Sequence, residues 1–375
     1  MRFKPKHLVF LSGYVLCAIF VNLLCGYIRT NQKILASLQT STQSVLNRRS
    51  PLRNNTSTLL RTAALKLTVN LKPKVVDSSA LGTRQEHQQQ GAAQSSTGAR
   101  PKRCNGCFNS VFPMLIDEVD ICETHHDQNI ELVFLIVSSH RLRKRRDSIR
   151  QTWASITKNN TSRYRHVFLF GMTPDGALME RVREESRQFR DVLVSDFLDS
   201  YNNLTLKTLM GLRWAATRCR HVRFFMKVDD DVWVNTVALR EMLAQKGELL
   251  DNRLIGMCRK GTKPERDPRS KWYVSVSYFP DETYPPFCGG PAYVGGMGVA
   301  ARVVAVSKDI PFFFIEDVYL GFCLEALGAG VLLSGRFLTG PRISNDTCYA
   351  RNSVIVAHRV YADMMRTYWA AKCDV

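Results

Sequence analysis

The stretch Val222-Arg-Phe-Phe-Met-Lys-Val228 runs straight into Asp229-Asp230-Asp231. The first part has the length and composition of a buried strand. The second part is three adjacent carboxylates, which repel one another and make poor core. Hard oxygen ligands at a strand end suit Mg²⁺ or Mn²⁺. Such an ion can bridge the two phosphates of a nucleotide and stabilise a departing diphosphate. The plainer reading is a solvated acidic turn.

The pattern on either side of this stretch alternates. Segments 132–138 (LVFLIVS), 166–171 (HVFLFG) and 192–197 read as strands, with a short one at 254–257. Helical stretches fall between them at 143–156, 175–189, 204–217 and 236–246. Strand runs apolar on both faces, interleaved with helices, predict an α/β fold: a Rossmann-like, mostly parallel sheet covered on both sides. Ligands of such sheets sit at the carboxyl ends of the strands.

Those ends carry further candidates. After the first strand come Ser138 and Ser139, then Arg141, Arg143, Lys144, Arg145, Arg146 and Arg150. Helix N-termini and arginine forks bind phosphate, although such a cluster also suits a solvated basic face. Glu316-Asp317 lies between PFFFI and VYLG. An acidic pair in apolar surroundings is costly unless paired or used. It is therefore either a general base with a raised pKa or half of a buried ion pair. Tyr284-Pro-Pro-Phe-Cys-Gly289-Gly290-Pro291 reads as an irregular loop that lets backbone approach a ligand. His358 is a possible metal ligand.

The chain has 375 residues and a formal net charge of +19, with 23% charged and 45% hydrophobic residues. That composition excludes a mostly disordered or collagen-like chain. The charge alone suggests nucleic acid, but it is unevenly placed. Residues 1–103 hold 16 basic and 2 acidic residues, and the remainder holds 36 and 31. Residues 8–28 are uncharged and mostly apolar. As a helix they would be about 30 Å long, enough to cross a bilayer core. Arg2, Lys4 and Lys6 precede them, which favours a cytoplasmic N-terminus. The expected organisation is a cytoplasmic tail at 1–7, a signal anchor at 8–28, a flexible luminal stem at 29–103 and a catalytic domain at 104–375. Nucleic acid would then lie across a membrane from the domain.

A luminal location fits two other features. Nine of the eleven cysteines lie beyond residue 28, where an oxidising compartment favours disulfides. The odd number leaves at least one free or intermolecular. Sequons occur at Asn54, Asn55, Asn159, Asn160, Asn203 and Asn345.

Seven motifs in order then resemble the inverting β-1,3-glycosyltransferases, the family of β-1,3-galactosyltransferases and β-1,3-N-acetylglucosaminyltransferases. They are Arg146-Asp-Ser-Ile-Arg150-Gln-Thr-Trp153, Phe168-Leu-Phe-Gly171, Asp196-Phe-Leu-Asp-Ser-Tyr-Asn-Asn-Leu-Thr-Leu-Lys207-Thr, and Phe225-Met-Lys-Val-Asp-Asp-Asp231-Val-Trp-Val-Asn235. Lys271-Trp-Tyr-Val-Ser275, Tyr284-Pro-Pro-Phe-Cys-Gly-Gly290 and Glu316-Asp-Val-Tyr-Leu-Gly321 complete the set. The match runs from about residue 131 to 369.

The resemblance implies a GT-A fold, Mn²⁺, a UDP-sugar donor and a glycan acceptor on protein or lipid. It also implies a Golgi type II membrane enzyme. By the same likeness Asp231 and His358 hold Mn²⁺, and Asp229 faces the ribose or the metal. Ser138, Arg146 and Arg150 lie near uracil and diphosphate, Lys207 meets phosphate, and Asp230 completes the donor set. Asp317 is the catalytic base with Glu316 beside it. Trp272, Tyr284, Gly289 and Gly290 shape the sugar and acceptor pocket. Where family galactosyltransferases usually read C-S-G, this chain has Gly289 in place of the serine. Trp272 and Cys288 favour galactose as the donor sugar. The glycine pair favours the alternative, N-acetylglucosamine. A catalytically inactive carbohydrate-binding member is the non-enzyme reading.

Overall fold

The computed structural model describes residues 100–123, 129–339, 348 and 352–373. The predicted tail, signal anchor and nearly all of the stem lie outside these residues, as do Asn54, Asn55 and Asn345.

The chain order is β1 (Met114–Ile116), β2 (Leu132–Val137), α1 (Arg143–Gln151), β3 (Tyr164–Met172), α2 (Gly176–Phe189), β4 (Val192–Leu198) and α3 (Leu204–Arg218). It continues with β5 (Phe224–Asp229), β6 (Val232–Val234), α4 (Thr236–Lys246), β7 (Arg253–Arg259), β8 (Phe287–Gly296) and α5 (Met297–Ser307). Then follow α6 (Glu316–Leu327), β9 (Gly330–Leu333), β10 (Phe337–Leu338), β11 (Val356–His358) and α7 (Ala362–Ala370).

The main sheet runs β1-β4-β3-β2-β5-β8-β7-β9, and a small second sheet runs β10-β11-β6. Strands β4, β3, β2 and β5 are parallel, as are β7 and β9. Strand β1 is antiparallel to β4, and β8 is antiparallel to both β5 and β7. The sheet is thus mixed around a parallel centre.

Period-two alternation explains why the central strands are apolar throughout. In β2, Val133, Leu135 and Val137 join one core cluster, with residues of α3, α5 and α6. Leu132, Phe134 and Ile136 point the other way, into a cluster with Ile149 of α1, Leu239 of α4 and Met365 of α7. Trp153 closes that second layer edge-on to Phe134 at 5.4 Å. Helix starts are fixed locally: the Asp175 carboxylate accepts from the amides of Ala177 and Leu178 at the start of α2. Asn235 does the same for Ala238 in α4. Each such cap contributes about 1 kcal/mol.

One sequence expectation is corrected. The segment 284–291, read as an irregular loop, becomes ordered strand from Phe287 onward. Its glycines and proline hid the strand. Antiparallel pairing with β5 and β7 supplies what local propensity does not.

Disulfides join Cys104–Cys107, Cys122–Cys219, Cys258–Cys288 and Cys348–Cys373. Among the described residues the free thiol is Cys323, which is buried, in keeping with the odd count beyond residue 28.

Candidate active site

From β2 the chain steps outward to β3 and β4, then returns to place β5 on the other side of β2. The connections leaving β2 and β5 therefore part, and at such a point the carboxyl ends of the strands form the expected ligand crevice. Register pairs Val137 with Asp229 across this point. The next residues meet directly: the Ser138 hydroxyl donates to Asp230 Oδ2 at 2.7 Å. Arg145 Nη1 donates to Asp230 Oδ1 at 2.9 Å and lies 3.9 Å from Asp231 Oδ2. Burial raises the Asp230 carboxyl, while the Ser138 and Arg145 hydrogen bonds oppose that rise.

Asp231 points elsewhere. Strands β6 and β11 pair antiparallel, setting His358 opposite Val232. This brings His358 Nε2 to 3.5 Å from Asp231 Oδ1. The other ring nitrogen, Nδ1, is 3.2 Å from the Thr339 carbonyl. A carbonyl only accepts, so Nδ1 is the donor in that contact. Metal-binding histidines commonly donate their other ring nitrogen in this way. Among the described residues, no group of three His, Cys, Asp or Glu side chains converges on one point. Asp231 and His358 would then be the protein's share of a divalent ion. Ions held beside substrate phosphates commonly take only one or two protein side chains and complete their shell with phosphates and water, so two side chains fit as the protein's part of such a shell.

Asp229 is held by Lys227, whose ammonium donates to Asp229 Oδ1 at 2.7 Å. Lys227 also donates to the Gly290 carbonyl and lies 3.7 Å from Glu316 Oε2. Burial alone would lower this lysine; Asp229 and Glu316 more than reverse that and keep it charged. Glu316 Oε1 accepts the Tyr293 hydroxyl at 2.6 Å. Its neighbour Asp317 has different partners. Asp317 Oδ2 accepts the Gly290 amide at 2.9 Å, and Oδ1 accepts the Val318 amide at 3.0 Å. Burial raises both carboxyls, most strongly opposed at Glu316 by Lys227 and at Asp317 by the Gly290 amide.

Gly290 therefore serves both charges through its backbone. A Cβ there would lie 3.4 Å from Glu316 Oε2 and 3.5 Å from Asp317 Oδ2. Any larger side chain would grow into the acidic pair. At Gly289 an added Cβ would instead face Met257 O and Thr339, at 3.5 and 3.8 Å.

Two arginines of α1, Arg146 and Arg150, are spent on protein. Arg146 is 1% exposed. Its guanidinium forks onto Glu185 at 2.8 and 2.6 Å and also holds Ser138 Oγ and the Ser139 carbonyl. Arg150 forks onto Asp191 at 2.8 Å twice, reaches Glu185, and lies over the Phe189 ring at 4.0 Å. Both were expected beside uracil and diphosphate; here their guanidiniums are paired with Glu185 and Asp191, and Arg145 is the arginine on the aspartates. Lys207, expected at phosphate, is buried. Its ammonium donates to the Ser138 carbonyl at 2.8 Å and to both Asp199 oxygens.

Of the pocket candidates, Trp272 is exposed, and its indole N–H donates to the Tyr201 hydroxyl at 2.9 Å. Tyr284 is buried among Phe279, Phe287 and Phe313. That burial pushes its hydroxyl up to about 12. Asn159 is exposed. The Asn160 amide exchanges two hydrogen bonds with the His166 backbone, and Asn203 Nδ2 donates to the Leu198 carbonyl.

Sequence reasoning overlooked Arg145's specific role, Lys227, Tyr293 and Tyr201. Lys227 left a signal: one lysine inside an apolar strand, two residues before an aspartate run, needs a buried anion.

The sequence profile of the galactosyltransferase family matches residues 144–332. Mouse and human "Beta-1,3-galactosyltransferase 1" are each 35% identical over 305 residues, covering 73% of this chain and 87% of theirs. Gorilla "Beta-1,3-galactosyltransferase 5" is 41% identical over 242 residues, covering 64% and 80%. Among solved structures, galactosyltransferase LgtC with donor and acceptor sugar analogs is a distant likeness. It is 12% identical with a TM-score of 0.34, over 65% of this chain and 97% of that one. By the family profile and the curated relatives, the chain belongs to the β-1,3-glycosyltransferase family.

Proposed function

We propose that this chain is an inverting β-1,3-galactosyltransferase. It moves galactose from UDP-galactose to the 3-hydroxyl of an acceptor sugar on a glycoprotein or glycolipid. The observation that carries the reading is Asp317: a carboxylate at the crevice, hydrogen-bonded by backbone amides and not consumed in an ion pair. The galactosyltransferase relatives support the class of reaction.

The step is a single displacement. Asp317 accepts the proton of the acceptor 3-hydroxyl. That oxygen bonds to the anomeric carbon from the face opposite UDP. The bond from that carbon to the diphosphate oxygen breaks, and its electron pair leaves with UDP. An α-linked donor becomes a β-linked product. Asp231 and His358 would hold Mn²⁺, which supplies positive charge to the leaving diphosphate. Arg145 adds a second positive charge on that side. Lys227 and Tyr293 hold Glu316, and the Gly290 amide aims Asp317.

We read the sheet as the GT-A type and place the domain in the Golgi lumen, anchored by residues 8–28. Asn159 is its exposed acceptor for N-linked glycan. UDP-N-acetylglucosamine is the alternative donor, favoured by the glycine pair at 289–290. A screen of UDP-sugars with Mn²⁺ and simple β-linked acceptors tests the reading. Turnover is expected with UDP-galactose; turnover with UDP-N-acetylglucosamine alone would transfer the assignment to that sugar. No turnover with any UDP-sugar would overturn it.

A further inference from the structure

Residues 308–315 carry the chain from α5 to α6, and so to Glu316 and Asp317. The start of α6 has no side-chain cap, because Ile315 stands at that position. The segment is instead suspended by its carbonyls. The Phe108 amide donates to Lys308 O at 3.1 Å, and the Cys104 amide to Asp309 O at 2.9 Å. Arg100 Nη2 donates to Pro311 O, and to Phe312 O at 3.2 Å. The Tyr278 hydroxyl joins it on Phe312 O at 3.0 Å, and the Thr205 hydroxyl holds Phe313 O at 2.7 Å. Four of these five carbonyls are thus held from residues 100–108.

The strap that supplies these donors precedes β1. Its turn is closed by the Cys104–Cys107 disulfide, and the Gly106 amide inside that turn donates to Asp309 Oδ1 at 2.8 Å. Phe108 is buried against Phe312 and against Tyr319 of α6, with ring centres 5.2 and 5.6 Å apart. Arg103 donates to the Ala326 carbonyl in the last turn of α6. The Arg100 guanidinium lies 4.7 Å from the ring centre of Phe322, also on α6, and 5.1 Å from that of Phe313. Stacking on rings while meeting two carbonyls is a task for a planar fork of N–H groups, which lysine lacks. Phe313 is itself buried, edge-on to Phe279, Tyr284 and Phe322. Arg100 therefore grips both the segment and the helix that follows it.

We infer that Arg100 is a positioning residue for Asp317, acting through the 308–315 segment that the strap suspends. Arg100 touches none of the reacting groups. It holds the carbonyls of Pro311 and Phe312, and the chain reaches Asp317 five residues after Phe312. The Asp317 carboxylate is aimed by the Gly290 amide of β8 at 2.9 Å. That bond joins two elements, so it survives only while α6 starts at the right place against β8. Release of the carbonyls lets the first turn of α6 drift and the bond lengthen. The strap at the end of the expected stem thereby sets geometry inside the crevice. The inference rests on the role of Asp317 in the proposed reaction.

The test uses the full-length protein with UDP-galactose, Mn²⁺ and a β-linked acceptor, comparing Arg100→Met and the milder Arg100→Lys with the parent chain. Misplacing a reacting group by about 1 Å costs about a hundredfold, so Arg100→Met should lower kcat about tenfold to a hundredfold. Arg100→Lys should fall between. Binding of UDP with Mn²⁺, measured by calorimetry, should be unchanged. Burial raises the Asp317 carboxyl, and the Gly290 amide opposes that rise. With Lys227 and Glu316 left as they are, losing that bond should move the acid limb of the kcat profile to higher pH, since a base must be ionised to act. Cys104→Ser combined with Cys107→Ser should give the same changes in smaller measure. Hydrogen exchange needs no turnover: the amides of 316–320 should exchange faster in Arg100→Met while those of β2 and β5 keep their rates. An unchanged kcat and acid limb in both arginine variants would overturn the inference, as would exchange that rises evenly over the whole domain. Selective loosening of α6 in a protein with no transfer from any UDP-sugar would instead overturn the proposed reaction and leave the hold of Arg100 on α6 standing.

Discussion

The two charged walls of the crevice look alike as sequence and differ as chemistry. On one wall, Arg146 and Arg150 meet Glu185 and Asp191 in a closed network of short contacts. On the other, Asp229 and Glu316 share one buried lysine, Lys227, with Asp317 next to Glu316 in the chain. The first wall is balanced and finished. The second has more carboxylates than cations, and Asp317 is the one that Lys227 does not bridge. Charge that is paired within the fold holds the site in place; charge left over is available to a substrate.

The comparison breaks most sharply at Asp317. Asp317→Asn keeps the side chain's shape and removes the base. Turnover should fall about a thousandfold, the scale of a lost general base, while UDP binding measured by calorimetry persists. Near-normal turnover would remove Asp317 from the chemistry.

The arginine wall should respond in stability. Arg146→Met leaves a buried Glu185 short of a partner, and breaking such a pair costs about 3–5 kcal/mol. Urea unfolding should show this loss. A variant of normal stability with a raised donor KM would instead return Arg146 to the diphosphate.

The metal pair comes next. Asp231→Asn and His358→Ala should each weaken Mn²⁺ binding about a hundredfold, the upper end of what loss of a supporting contact costs. The binding itself, measured by calorimetry, is the readout.

The smallest effect is acid sensitivity. Burial would raise Asp191, but hydrogen bonds from Arg150 and His166 prevail and hold it at about 2. Its folded value lies below the unfolded one, so its contribution is complete above the unfolded value. That contribution, about 2 kcal/mol, is lost as pH falls from about 4 towards 2. Asp191→Asn should flatten that limb of the stability profile, and an unchanged limb would show that Asp191 is not its source.

The sequence made much of this legible. Apolar runs marked β2, β3, β4 and β5 because both faces of those strands are covered. The aspartate run after Val228 falls at the carboxyl end of β5, and the apolar setting of Glu316 and Asp317 marked a used or paired acid. Long-range pairing was harder to see. Strand β8 was hidden by Gly289, Gly290 and Pro291, since its partners β5 and β7 are distant in the chain. The fate of Arg146 and Arg150 was hidden for the same reason. Nothing local to α1 shows that Glu185 and Asp191, some 40 residues on, will take up their charge.

The most direct test of the central claim is the stereochemistry of the product. The full-length protein is incubated with UDP-galactose, Mn²⁺ and a β-linked acceptor, and the product's anomeric proton and linkage are read by NMR. A new galactose in β linkage to the acceptor's O3 is the expected result. An α-linked galactose, or attachment at another hydroxyl, would contradict the account.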